Sequence, residues 1–307
     1  MNVLFLSNQL CLRGTSVAIY DYAHYNETIL GNTSYIAAPF NSDMTAYDKF
    51  FNRFKTNLYR YDTNVLQAIS DNLNIDVAYH IISGETLPTA LQNCKNVYHG
   101  VFTGEHPGIT AVVSKWLGNK YNKPHVSHIV SLPEIKDDYR EWLNIPPEAT
   151  VFGRYGGADS FDDDMVQRVV YNVALRHPGI YFLFMNTNEF CYKLPNIIHV
   201  EGSTDVEVKR SFVNTCSAMI YGRSRGETFG LSIAEFLYCN KPVICSINAP
   251  ERNHIEIMGD KGIYFDGEKE LEAILLNFKR GDYDYSQLVE CFQPPIVMRQ
   301  FEEIFLK

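Results

Sequence analysis

Short apolar runs recur along this 307-residue chain, each followed by a polar turn and then by residues with helical spacing. Val3-Leu4-Phe5-Leu6 is the first of them, a continuous run of the kind found in a strand buried on both faces of a parallel sheet. Leu12-Arg13-Gly14-Thr15-Ser16 then supplies a glycine turn, and Val17, Ile19, Tyr20 and Ala23 give a helical apolar face. The order strand, turn, helix opens a βαβ unit. Residues 35–39, 75–80, 96–99 and 109–114 read as further strands, and residues 64–73 as a helix with Val65, Ile69 and Leu73 on one side. The segment 44–62, rich in Tyr, Phe, Lys and Asp, reads either as a helix or as an irregular excursion. Such alternation predicts an α/β protein with a parallel sheet covered on both faces.

The texture changes near Leu132-Pro133-Glu134. Residues 134–143 are charged and helix-like, and Ile145-Pro146-Pro147-Glu148 is a stiff connector. Thr150-Val151-Phe152-Gly153 then starts a second series, with Arg154-Tyr155-Gly156-Gly157 in the loop position. Strands at 180–185, 197–200 and 218–221 alternate with helices at 165–176 and 206–214. Two similar halves are the simplest account: a first domain over 1–133, a second over 134–293, and an amphipathic helix over 294–307 that would pack back on the first. In open α/β sheets ligands bind outside the carboxyl ends of the strands, so two such sheets facing each other would gather their turns around one cleft.

A hydrophobic content of 46% suffices for two real cores, and a net charge of −9 argues against broad binding to nucleic acid or an anionic membrane. No apolar run approaches bilayer length, and the amino terminus lacks a basic leader, which predicts a soluble, cytoplasmic protein. Seven scattered cysteines without a CxxC pair suit reduced, mostly buried thiols better than disulfides or a zinc site.

Residues 221–245, YGRSRGETFGLSIAEFLYCNKPVIC, carry the densest chemistry. Arg223 and Arg225 precede a helix start, where fixed guanidinium forks and unpaired backbone amides together suit phosphate. Taken alone, the two arginines read more readily as surface salt-bridge partners in an acidic protein than as a phosphate site. Glu227 and Glu235, the second placed about two turns along the helix, add acceptors for hydroxyl groups on either side of a diphosphate, the shape of a nucleotide sugar. The acidic run Asp162-Asp163-Asp164 fits a helix cap better than a metal site.

The run Ser224-Arg225-Gly226-Glu227-Thr228-Phe229-Gly230-Leu231-Ser232-Ile233-Ala234-Glu235, with Asn240-Lys241-Pro242-Val243-Ile244 after it, resembles the glutamate-x7-glutamate motif of retaining glycosyltransferases of family four. These enzymes have the GT-B architecture, two Rossmann-like domains with parallel sheets facing a central cleft. Thr228 and Asn240 stand where the family usually has glycine. The resemblance implies that Glu227 contacts the transferred sugar, that Glu235 contacts the ribose, and that the amides of Phe229, Gly230 and Leu231 lie near the sugar and diphosphate. It also implies a diphosphate-facing glycine loop at Gly14 and Thr15, a sugar-facing histidine at His99, and a phosphate-binding arginine at Arg154 after Phe152-Gly153. The lysine that the family carries a few residues later is missing, which shifts charge neutralisation to Arg223 or Arg225 or lowers activity.

The expectation is therefore a hexosyltransferase-like, retaining enzyme with Glu227, His99 and Arg154 as catalytic groups. Its donor, a UDP- or GDP-sugar, would be held by Gly14, Thr15, Arg154, Arg223, Arg225, Thr228, Phe229, Gly230, Leu231 and Glu235. No metal or other cofactor is expected, and the acceptor is an unidentified glycan, lipid or protein. Residues 186–190 and 201–205 would lie along the base, and the aromatic stretch around Tyr47 and Tyr61 would serve the acceptor. A GT-B nucleotide-sugar epimerase and a non-catalytic nucleotide- or carbohydrate-binding protein are the alternatives. A dinucleotide oxidoreductase lacks its Gly-x-Gly-x-x-Gly fingerprint here.

Overall fold

A computed structural model describes residues 1–62, 65–84 and 86–307. The chain divides into two compact units, residues 1–129 with 291–307 and residues 130–290.

In the first unit the strands are β1 (Asn2–Leu6), β2 (Thr33–Pro39), β3 (Leu58–Tyr61), β4 (Val77–Ile82), β5 (Lys95–Gly100) and β6 (Ala111–Val112). They form one parallel sheet in the order β3-β2-β1-β4-β5-β6. Its helices are α1 (Gly14–Thr28), α2 (Tyr47–Phe54), α3 (Leu66–Asn72) and α4 (Lys115–Tyr121). The stretch left open between helix and irregular structure is both α2 and the edge strand β3; Asn64, where a helix was expected to begin, lies outside the described residues. The alternation of β1 sorts its side chains: Leu4 and Leu6 pack with Ala37, Ile75, Ala78 and Leu91, whereas Phe5 meets Tyr79 and Phe301.

The second unit repeats the plan. Its strands are β7 (Thr150–Tyr155), β8 (Ile180–Met185), β9 (Ile197–Val200), β10 (Ala218–Ile220), β11 (Gly226–Glu227), β12 (Val243–Ser246), β13 (Glu251–Arg252) and β14 (Ile263–Phe265). Six of them form a parallel sheet in the order β14-β12-β10-β7-β8-β9, and β11 pairs separately with β13. The helices are α5 (Asp164–Arg176), α6 (Val206–Thr215), α7 (Leu231–Tyr238), α8 (Asn253–Met258), α9 (Glu268–Asn277) and α10 (Ser286–Val289). Valines 166, 169, 170 and 173 on α5 recur at helical spacing and meet Phe152, Phe182 and Phe184 of the sheet in one core. In each sheet the order reverses between its first strand and its fourth, β1 beside β4 and β7 beside β10, and such a switch point opens a crevice at the strands' carboxyl ends.

The helix expected over 134–143 is absent; the backbone runs irregularly into turns. Side chains supply there the hydrogen bonds that a helix would have made internally. Asn214 donates to the carbonyls of Ile135 and Asp137, the Tyr139 amide donates to the Thr215 hydroxyl, and the Arg140 amide donates to the Asp138 carboxylate. Asp163 caps α5 by accepting from the amides of Met165 and Val166, the role expected of the acidic run. Cys11, Cys216 and Cys245 are buried, Cys291 is exposed, and the other three are half-buried; all seven are unbridged. Among the described residues no helix is long and apolar enough to cross a membrane.

The carboxy-terminal segment, α11 (Pro294–Phe301) followed by a wider turn over Glu302–Leu306, belongs to the first unit. Phe301 and Phe305 pack against Tyr22, Tyr79 and His99, Phe301 stacked on Tyr22 and the other rings tilted or edge-on. Burial lowers the pKa of His99 to about 4 and that of His128 to about 3, from the ordinary 6.5. Both rings are thus neutral when folded and take up protons when unfolded. The stability this lends is complete above pH 6.5 and is lost as pH falls towards 4 for His99 and towards 3 for His128. The loss is on the order of 3 kcal/mol per histidine, so the urea midpoint should drop steeply in this window and less steeply in His128→Gln.

Candidate donor site

The switch point of the second sheet collects most of the predicted residues. Arg154 is the last residue but one of β7 and is 3% exposed. Its guanidinium donates to the Thr187 hydroxyl, the Gly157 carbonyl and the Ser160 hydroxyl, all neutral oxygens, and lies 5.8 Å from the Phe161 ring. Burial lowers its pKa to about 10, which leaves it charged at neutral pH. Among the described residues no carboxylate lies within ion-pair distance of it.

The loop after β10 is a separate construction. Asp162 accepts from the Ser224 amide at 2.8 Å and pins its tip. Arg223 donates to Glu227 Oε2 at 2.9 Å, and the Tyr221 hydroxyl donates to Glu227 Oε1 at 2.9 Å. Burial resists charge on Arg223, but the Glu227 carboxylate outweighs it and the pKa is raised. Arg225 meets Glu251 at 2.7 Å. Both arginines expected to face a diphosphate thus face carboxylates, and the loop's formal charges cancel. Sequence reasoning could not see this because Glu251 is brought in by the pairing of β13 with β11, some 26 positions away from Arg225.

Two glycines make the loop possible. Gly226 has φ +79°, and a Cβ on it would lie 2.0 Å from the Glu251 carbonyl oxygen. Gly226→Ala should therefore break the β11–β13 pair and cost at least about 1–3 kcal/mol from backbone strain alone, visible as a lower thermal midpoint. Gly230 takes φ +91° as the residue before α7, so the helix starts at Leu231. Glu235 consequently lies little more than one turn into it, not two. Thr228 and Phe229 are buried, and Asn253 donates to the Phe229 carbonyl at 2.7 Å, which fixes the turn.

Glu235 is 5% exposed. Tyr155 donates to its Oε2 at 2.7 Å, and Lys209 of α6 lies 3.4 Å from Oε1. Tyr155, Lys209, Tyr221, Glu251 and Asn253 were all missed in the sequence, where nothing distinguishes them from ordinary strand and helix residues. His254 was missed as well. It is fully buried with neither ring nitrogen hydrogen-bonded, its ring 5.3 Å from that of Tyr221, and burial lowers its pKa to about 4. Asn186 and Thr187, expected near a base, hold the Gly156 carbonyl and Arg154, and their backbone follows β8. Among the described residues no group of three or more His, Cys, Asp or Glu side chains is placed to hold a metal ion.

The first unit keeps Gly14 and Thr15 in the opening turn of α1, exposed and half-buried respectively. His99 departs from expectation. It is 0% exposed, hydrogen-bonded to the Tyr79 hydroxyl at 2.6 Å and packed on Phe305, so it offers no surface to a sugar in this conformation. The physical reason is the carboxy-terminal segment, whose aromatic rings close over the end of β5.

Neither a protein-family model nor a curated protein matches the sequence. Solved structures do. A glycosyltransferase from Rickettsia africae is 14% identical, with a TM-score of 0.70 over 99% of this chain and 97% of that one. Anabaena HepE, solved in complex with UDP and glucose, is 13% identical, with a TM-score of 0.71 over 99% and 98%. WaaG, a glycosyltransferase involved in lipopolysaccharide biosynthesis, is 10% identical, with a TM-score of 0.63 over 99% and 96%. Two parallel six-stranded sheets of this order, matched over nearly the whole length of these enzymes, give the protein the GT-B glycosyltransferase fold.

Proposed function

We propose that the protein is a retaining glycosyltransferase that takes a sugar from a nucleotide-diphosphate donor, UDP-linked by analogy with HepE, and that its donor site lies at the β7–β10 switch point. The observation that carries this reading is the meeting there of Arg154, a buried cation with no carboxylate within ion-pair distance among the described residues, and the two carboxylates of the glutamate-x7-glutamate stretch. A buried charge is costly unless compensated; Glu227 and Asp162 act on Arg154 from beyond ion-pair distance, and a diphosphate would supply the direct contact. Glu235 would accept from ribose hydroxyls and Glu227 from hydroxyls of the sugar. The amides of Phe229, Gly230 and Leu231 would add donors to the phosphates.

In this account the bond from the anomeric carbon to the diphosphate oxygen breaks as positive charge builds on the sugar. Arg154 and the amides stabilise the departing oxygens. The acceptor hydroxyl enters from the same face and its proton passes to the leaving phosphate, so configuration is kept. No step is given to a metal, and none to His99.

A panel of UDP-, GDP- and ADP-sugars, each incubated with and without candidate acceptors, tests the reading. Slow donor hydrolysis or transfer with one nucleotide class is expected, with the anomeric configuration retained. Epimerised donor in the absence of acceptor, or no turnover of any donor, would overturn it.

A further inference from the structure

The donor reading gives Glu235 to the ribose, and the inference that follows rests on that reading. A carboxylate on a single flexible stem can turn; to recognise a pair of neighbouring hydroxyls it must be held in one plane. Two side chains from two other elements hold this one. The Tyr155 hydroxyl, at the end of β7, donates to Oε2 at 2.7 Å, and the Lys209 ammonium, on α6, reaches Oε1 at 3.4 Å. The same ammonium lies 5.6 Å from the centre of the Tyr155 ring, which ties the three groups together. Lys209 is 9% exposed, and lysine is rarely so buried without a partner whose charge it matches.

Each oxygen of an ionised carboxylate can accept about two hydrogen bonds. With one donor on each oxygen, Glu235 keeps acceptor capacity on both, and the two donors fix the plane in which it lies. We propose that Tyr155 and Lys209 are positioning residues that set Glu235 for the ribose 2′- and 3′-hydroxyls, so that the three side chains together select ribonucleotide over deoxyribonucleotide donors. A core ion pair that served stability alone would lower affinity for every nucleotide alike.

The test measures binding of UDP and its 2′-deoxy and 3′-deoxy forms, with the GDP and ADP series alongside, to wild type, Tyr155→Phe, Lys209→Met and Glu235→Gln. The readout is the preference ratio within each variant, from which any loss of folded protein cancels. Wild type should prefer the ribonucleotide by on the order of 10- to 100-fold, the worth of a hydrogen bond to a charged group. Tyr155→Phe, which removes a single hydroxyl from a buried ring, and Lys209→Met should each shrink the ratio several-fold, and Glu235→Gln should bring it near one. A wild-type ratio preserved in both Tyr155→Phe and Lys209→Met overturns the positioning role while leaving the donor site standing. A wild type without preference, or without binding, overturns the donor reading and this inference with it.

Discussion

Arg154→Ala is expected to weaken nucleoside-diphosphate binding by about 10²- to 10³-fold, the range for removing one member of a buried, hydrogen-bonded charge pair. The expectation follows from the different fates of the three arginines. Arg223 and Arg225 are already matched by Glu227 and Glu251, whereas among the described residues Arg154 hydrogen-bonds neutral oxygens only. A diphosphate arriving at the switch point therefore gains most from Arg154. Alanine also releases Gly157 and Ser160, so part of the loss comes from a relaxed loop. Arg154→Lys separates the two contributions: it keeps the charge but not the planar fork, and should recover part of the affinity without restoring it. Dissociation constants from fluorescence titration, compared across the three proteins, check the ordering. Equal affinities would remove Arg154 from the site.

Glu227→Gln should lower sugar transfer by on the order of 10²-fold or more while leaving nucleotide affinity intact or raised. A carboxylate that meets hydroxyls of the sugar as charge builds on it contributes to the transition state more than to nucleotide binding. The direction on affinity comes from its neighbours. Glu227 holds the Arg223 guanidinium at 2.9 Å and accepts from Tyr221. Removing its charge leaves Arg223 a cation with a weaker partner, beside which a diphosphate is more welcome. Turnover and affinity measured on the same preparation give the answer: unchanged turnover, or affinity that falls in step with turnover, would contradict the role.

Much of the architecture was legible because burial on both faces of a parallel sheet leaves continuous apolar runs. Ile180–Met185 and Ile197–Val200 are strands with the bounds that their letters suggested. The failures have identifiable causes. Residues 134–143 carry helix-forming letters, but side chains from elsewhere in the fold satisfy their backbone. The edge strand β3, Leu58–Tyr61, was hidden because Tyr and Arg alternate in it without a continuous apolar signature.

The proposed donor stretch was legible in its residues and not in its pairings. The letters single out Arg154, Glu227 and Glu235 as candidates; they could not show that Glu251 pairs with Arg225 or that Lys209 reaches Glu235, because both contacts join residues 26 positions apart. His99 misled for the opposite reason. A histidine at the end of a strand looks available until the carboxy-terminal aromatics, more than 200 positions later, cover it.

The central claim is that the second unit binds a nucleoside diphosphate at the carboxyl ends of β7 and β10. Calorimetric titration of the wild-type protein with UDP, GDP and ADP tests it most directly. The account predicts saturable, one-to-one binding of at least one of them, UDP first among the three, with the heat lost in Arg154→Ala. Heats of dilution alone for all three nucleotides, from protein shown to be folded, would contradict it.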